Sequence, residues 1–263
     1  MGTFQLTNEN YFSIEANKYY WSKSQFASFQ RCEAAAMAEV QGRYQREETT
    51  SLLVGSYVDA YYSDELDLFF EEHPDVFNKR TGELKADYRH ADEIIATINQ
   101  QPVMTDFMAG KKQEIRTAEL FGVPWKIKMD FYLPDERIVD LKIMKDFDSV
   151  YNERIGTRQD WIAAWGYDIQ GAVYQRIEQL SAGRSEPLPF YILAATKEKV
   201  PDIALIHIPQ HYLDAALKIV ESKIDRFDLI KAGVIAPDRC GSCEFCRRTK
   251  VITSPEEYEM LGE

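Results

Sequence analysis

Cysteine and histidine are scarce in this 263-residue chain, at four residues each. No signal-peptide pattern opens the sequence, so a disulfide framework is a poor reading and reduced, cytoplasmic thiols are the expectation. None of His73, His90, His207 and His211 has a partner at ligand spacing, which leaves the histidines without a catalytic assignment. No apolar run approaches the roughly 20 residues of a membrane span, so no membrane association is expected. Linkers, low-complexity tracts and internal repeats are also missing. The expectation is a single globular domain over residues 1–263, with enough apolar content (45%) to bury a sizeable core. Cations are in deficit, 31 Lys and Arg against 43 Asp and Glu, for a net charge of −12. That balance argues against a broad non-specific DNA-binding face, because phosphate neutralisation dominates such binding.

What the chain does have is a hairpin with an electrostatic conflict. Apolar residues alternate at Ile127, Met129, Phe131 and Leu133 and again at Val139, Leu141 and Ile143, and Pro134-Asp135-Glu136 between them is turn chemistry. A turn centred on Asp135 sets Asp130 across from Asp140 and Lys128 across from Lys142. Asp140 and Lys142 then share a face while Leu141 packs behind them. Opposed like charges about 5 Å apart are destabilising. A divalent metal between Asp130 and Asp140 reverses the sign, and oxygen ligands suit magnesium or manganese. The alternative is a surface hairpin whose Asp and Lys side chains pair diagonally.

Asp130, nine residues, then Asp140-Leu141-Lys142 resembles the D…(D/E)-x-K signature of the PD-(D/E)XK nuclease superfamily, including its RecB-like and phage RecE-like exonucleases. Downstream, Gln170-Gly171-Ala172-Val173-Tyr174 is similar to the Q-x-x-x-Y motif of those families, with Gln170 and Tyr174 on one helical face. Relatives carry G-x-x-x-H on an earlier helix, whereas this chain has Gly55-Ser56-Tyr57-Val58-Asp59, and Asp59 offers a carboxylate where they offer a histidine. The resemblance implies a restriction-endonuclease-like core of α/β (α+β) class, a central mixed sheet flanked by helices, with a helical insertion around 74–110. It implies Mg2+ or Mn2+ on Asp130, Asp140, the Leu141 carbonyl and Asp59, with Lys142 placing the attacking water and Gln170 and Tyr174 positioning the scissile strand. The activity implied is exonucleolytic hydrolysis of linear DNA in phage-type recombination, in company with a single-strand annealing protein. A nuclease of single-stranded ends in CRISPR adaptation or repair is one alternative. A nuclease-derived DNA-binding protein without catalysis is another.

The cysteines form a second constellation. Cys32 stands alone, and Cys240, Cys243 and Cys246 follow one another at two-residue gaps. Such a run wraps an iron–sulfur cluster with a fourth thiolate from elsewhere, or holds zinc in a site of four thiolates. The one-plus-three arrangement resembles the iron–sulfur nucleases of the same superfamily, which favours a 4Fe-4S cluster over zinc.

Periodicity predicts helices near 22–40, 50–72, 86–100, 102–109, 160–181 and 211–231, and strands near 112–121, 124–133, 136–144, 189–197 and 202–208. Gly122-Val123-Pro124 supplies the first strand turn. Acids concentrate in Asp59 to Asp75 and in Glu256-Glu257-Tyr258-Glu259. Basic residues gather at Lys126, Lys128, Lys142, Lys145, Arg154 and Arg158, and at Arg239, Arg247, Arg248 and Lys250, which predicts a local basic channel around the hairpin. Trp161 and Trp165 read as a buried helical pair rather than a base-stacking one, and Glu114 and Glu119 as solvated.

Overall fold

The computed structural model describes residues 4–152 and 155–255. Helices α1 (Ile14–Tyr19), α2 (Lys23–Arg31), α3 (Glu33–Val40), α4 (Thr50–Tyr62) and α5 (Leu66–Glu72) come first, then a 3-10 turn at Pro74–Val76, α6 (Ala86–Asn99) and α7 (Pro102–Phe107). Strands β1 (Lys111–Leu120), β2 (Val123–Leu133) and β3 (Arg137–Met144) form a meander, followed by a small hairpin of β4 (Val150–Asn152) and β5 (Thr157–Gln159). The chain continues through α8 (Trp161–Ala164), α9 (Tyr167–Ala182), β6 (Phe190–Thr196), β7 (Ile203–His207), α10 (Gln210–Lys231) and α11 (Glu244–Arg248).

The main sheet runs β1-β2-β3-β6-β7, antiparallel except for the parallel pair β3 and β6. A parallel pair needs a crossover, and α9 supplies it. Both faces of the sheet are covered. Ile127, Met129, Ile138 and Ile192 pack with Phe26 of α2, Val173 of α9 and Phe227 of α10. Phe131, Val139, Leu141 and Leu193 pack on the other side with Val58 of α4 and Ile94 of α6. The mixed α/β architecture read from the sequence is therefore the one observed.

Three predicted helices are each two. The one over 22–40 breaks at Cys32, whose φ of −163° and ψ of 108° are extended. The one over 50–72 breaks at Asp64, with φ 60°, and the one over 160–181 at Gly166, with φ 65°. In each case both pieces bury apolar residues in the same core, so the apolar pattern runs through the break without marking it. The first strand turn is tighter than expected. Leu120 pairs with Val123, and Phe121 and Gly122 alone turn the chain at φ 53° and 73°, the two positive φ values of a type I′ hairpin. The β4–β5 hairpin and helices α1 and α11 carry no periodicity long enough to have been read.

Candidate active site and cysteine centre

The β2–β3 hairpin is centred on Asp135, with Leu133 opposite Arg137, Tyr132 opposite Ile138 and Phe131 opposite Val139. The ladder then stops. Asp130 Oδ2 accepts the Leu141 N–H at 2.8 Å, the bond a cross-strand carbonyl would otherwise take. The expected ladder opposition of Asp130 to Asp140 and of Lys128 to Lys142 is corrected accordingly: the strands part where the carboxylate enters between them. The pleat slips at the same place. Trp125, Ile127 and Met129 belong to one core, Phe131 to the other and Tyr132 to the first again. Facing this step on β1 is Gln113, in the left-handed region at φ 52°, a local departure of the kind found where a strand re-aims a side chain.

Asp140 lies on the face turned to α9, only 2% exposed. Gln170 Nε2 donates to its Oδ1 at 2.5 Å. Lys142 forms an ion pair with its Oδ2 and also donates to the Leu141 carbonyl at 3.2 Å. That ammonium thus covers two of the oxygens that the sequence reading offered to a metal. Oδ2 has no hydrogen-bond partner beyond this pairing. Burial alone would lower the pKa of Lys142, but Asp140 and Asp130 outweigh it and hold the ammonium above its ordinary range. Asp130 is held well above the usual carboxylate range by burial and by the negative charges of Asp140 and Asp59.

Asp59 projects from α4 into the same group. Burial raises its pKa, Lys128 and Lys142 oppose the rise, and Asp140 and Glu65 add to it. Gln113 ties it down, donating from Nε2 to Asp59 Oδ1 at 3.3 Å and to Ser63 Oγ at 2.8 Å. The phenol of Tyr174 is held well above its ordinary range by burial and by Tyr11, Asp140 and Asp130, so it faces the carboxylates as a neutral O–H donor. Three acids, one lysine, one glutamine and one tyrosine are thereby drawn together from α4, β2, β3 and α9. Asp59, Asp130, Lys142, Gln170 and Tyr174 line a cleft of about 810 Å³.

The four cysteines also converge. Cys32 sits at the α2–α3 junction, and the others surround the start of α11. Their sulfurs all lie within 4.8 Å of one another, with Cys32 to Cys246 at 3.6 Å and Cys240 to Cys246 at 3.9 Å. Backbone N–H groups of Cys243 and Cys246 point at Cys240 Sγ and Cys243 Sγ, at 3.3 and 3.4 Å. Burial works against ionisation of Cys240, but hydrogen bonds from Cys243 and Ser242 outweigh it and bring the thiol down to about 6.

The profile of a PDDEXK-like domain of unknown function (DUF3799) matches residues 22–249. The chain belongs to this PDDEXK-like family. Its fold is also that of a crystal structure from Eubacterium rectale described as a "putative exonuclease", at 44% sequence identity and a TM-score of 0.93, over 99% of this chain and 100% of that one. No curated protein matches the chain.

Several charges fall elsewhere than in the local basic channel expected around the hairpin. Lys126 is 1% exposed and holds the Tyr11 carbonyl and Asn17 Oδ1, so it anchors the N-terminal segment from the floor of the cleft that it also lines. Lys145 pairs with Asp146 and Arg158 with Ser149. Arg239 donates to the Cys246 carbonyl and Arg248 pairs with Glu244, which puts these cations at the cysteine centre. Arg154 and the 256–259 acids lie outside the described residues. The cleft lining includes Lys23, Lys126, Lys128 and Lys142 together with Glu48, Glu65 and Glu72, a mixed lining where a basic one was expected. Trp161 is buried and stacks on Phe147, whereas Trp165 is 56% exposed, so the tryptophan pair is divided. Glu114 pairs with Arg116 and Lys111. Gln113, Lys23 and His73 line the cleft without having been assigned a role from sequence. Lys23 is the only one of these with a sequence cue, since it follows the serine that caps a helix start.

Proposed function

We propose that this protein is a metal-dependent exonuclease hydrolysing phosphodiester bonds of linear DNA, in phage-type recombination beside a single-strand annealing protein. The observation that carries the reading is the buried carboxylate of Asp140, clamped between Gln170 and Lys142 behind a cleft whose wall includes Asp130 and Asp59. Membership in the PDDEXK-like family and the likeness to the Eubacterium rectale protein support it. Residues 1–263 would act as one nuclease unit with 74–110 as a helical elaboration, supported by the packing of Ile94 and Ile98 in the core that holds Leu141.

The donor set fits Mg2+ or Mn2+. It is oxygen-only, and it gathers Asp59, Asp130, Asp140 and the Leu141 carbonyl, with Asp140 Oδ2 met only by the Lys142 ammonium that an incoming cation would displace. Such an ion would supply a water of lowered pKa and positive charge at the phosphate. Gln170 fixes the rotamer of Asp140 through its hydrogen bond, so this glutamine would position a carboxylate as well as the scissile strand. Asp130 fixes the backbone of β3 at Leu141. Lys142, held protonated by its acidic neighbours, would orient water and offset charge on the phosphate oxygens as a cation, not as a base. Tyr174 would donate its O–H from the cleft wall.

For the cysteines we propose a single tetrahedral ion, zinc. Metal–thiolate bonds of about 2.3 Å in a tetrahedron set sulfur–sulfur edges of roughly 3.8 Å, and the observed 3.6 and 3.9 Å fit. A 4Fe-4S cluster interposes an iron before each thiolate and spreads the sulfurs to roughly 6 Å, beyond the 4.8 Å that contains all four.

Purified protein and Asp140→Ala, each incubated with linear duplex DNA and Mn2+, test the activity. Cleavage by the first and at least about a thousandfold less by the second is expected; equal behaviour of the two overturns the nuclease reading. Metal analysis after anaerobic purification tests the thiolates. One zinc per chain without visible absorption is expected, and brown protein with about four irons would restore the cluster.

A further inference from the structure

Lys23 has too few partners for a structural lysine. It opens α2 directly after the capping Ser22 and lines the cleft with Ser22, Ser24, Lys142 and Tyr167. Its Nζ donates to the Trp165 carbonyl at 3.2 Å and lies 5.2 Å from the centroid of the Tyr167 ring. Lys142 Nζ stands 5.2 Å from the same centroid, so two ammonium groups share one aromatic ring. An ammonium has three donors, and one carbonyl uses one of them. Among the described residues no carboxylate pairs with Lys23. Burial and the neighbouring Lys142 bring its pKa down to about 8 against the pull of Asp140 and Asp168, which leaves it mostly charged at neutral pH. A half-buried cation without a counterion is costly, and an anion arriving in the cleft would offset that cost.

We propose that Lys23 is a second phosphate-binding residue of the cleft, holding the backbone phosphate of the substrate strand next to the one that Lys142 engages. This rests on the nuclease reading, and it adds a residue from α2 to a site otherwise drawn from α4, β2, β3 and α9. The ring of Tyr167 is the surface that both ammonium groups share, and Ser22 and Ser24 line the cleft beside Lys23.

The test compares the wild type, Lys23→Met and Lys23→Arg by cleavage kinetics on linear duplex DNA. In parallel, fluorescence anisotropy follows DNA binding against salt concentration in a cleavage-blocked Asp140→Asn background. Loss of one phosphate contact is expected to raise KM about tenfold with kcat within about threefold, and to make the slope of log K on log salt shallower by about 0.9. Lys23→Arg should restore both. An unchanged slope in Lys23→Met overturns the proposal, whether KM is unchanged or is raised equally in both variants, since the latter marks a packing role. Wild-type protein that binds DNA but never cuts it would count against the nuclease reading alone, because the salt slope still reports on Lys23. Protein that neither binds nor cuts would overturn both.

Discussion

Asp130 and Asp140 are chemically identical and differently employed. Asp140 is satisfied at Oδ1 by Gln170 and paired at Oδ2 with Lys142, while Asp130 spends one oxygen on the Leu141 N–H and meets the charges of Asp140 and Asp59. Burial and those charges hold its carboxyl well above the ordinary range. A raised carboxyl pKa contributes stability in acid that is lost as pH rises through the raised value. Asp130→Asn is therefore expected to be inactive in Mn2+ yet, without added Mg2+ or Mn2+, more stable than the wild type at neutral pH, because Asn keeps the acceptor for Leu141 and removes the repulsion. Thermal unfolding checks this: a gain of a few degrees is expected, at roughly 2–4 °C per kcal/mol for a chain of this size, and it should vanish near pH 4. Gln170→Ala should cost about 10–100-fold in Mn2+ affinity or activity, the usual effect of removing a group that orients a metal-binding carboxylate, read by calorimetric titration and kcat. Strand alternation placed Asp130, Asp140 and Lys142 on one hairpin, whereas Gln170 and Tyr174 were found through the resemblance to the Q-x-x-x-Y motif. Gln113 was illegible because its place depends on one left-handed φ, and the burial of Lys126 at the cleft was illegible because no local pattern distinguishes a buried lysine from an exposed one.

Among the elements, α9 shows why the residue after Gln170 is a glycine. A Cβ at Gly171 would come within 2.6 Å of Phe190 and 2.9 Å of Leu213, so only glycine lets α9 approach β6 and α10 closely enough for Gln170 to reach Asp140. Gly55 on α4 is the contrasting case, with nothing within 4 Å of a built Cβ. Gly171→Ala is expected to destabilise by about 1–3 kcal/mol despite alanine's helical preference, and Gly55→Ala to stabilise by about 0.5–1 kcal/mol. Urea midpoints of the two variants separate the signs, and a stabilised Gly171→Ala would mean that α9 does not need this close approach. Helices and strands were readable here because most of them alternate cleanly against one core. The breaks at Cys32, Asp64 and Gly166 were not, because the pieces on either side of each break bury apolar residues against the same surface and keep the pattern continuous.

Across the whole molecule, the net charge of −12 and the DNA reading coexist because the cations that matter are few and placed. Lys23, Lys128 and Lys142 reach the cleft, whereas Arg239 and Arg248 serve the cysteine centre. The two sites are joined by α2. Its first residue is Lys23, and Cys32 at its C-cap is buried against Cys246. Arg226 reinforces the junction by bridging Glu33 of α3 and Asp238, each at 2.8 Å. An ion held by the four thiolates would thus fix the far end of the helix that carries Lys23 into the cleft, without contacting the chemistry. Because a structural thiolate site contributes its binding energy to folding, stripping the ion with a thiophilic chelator, or Cys243→Ser, should remove several kcal/mol. That corresponds to a fall in Tm on the order of 10 °C, with earlier proteolytic cutting beyond α10. If α2 transmits the constraint, KM for DNA rises in the stripped protein more than kcat falls, and readdition of zinc reverses both. An unchanged KM alongside the lowered Tm would confine the cysteine centre to holding α3 and α11 together.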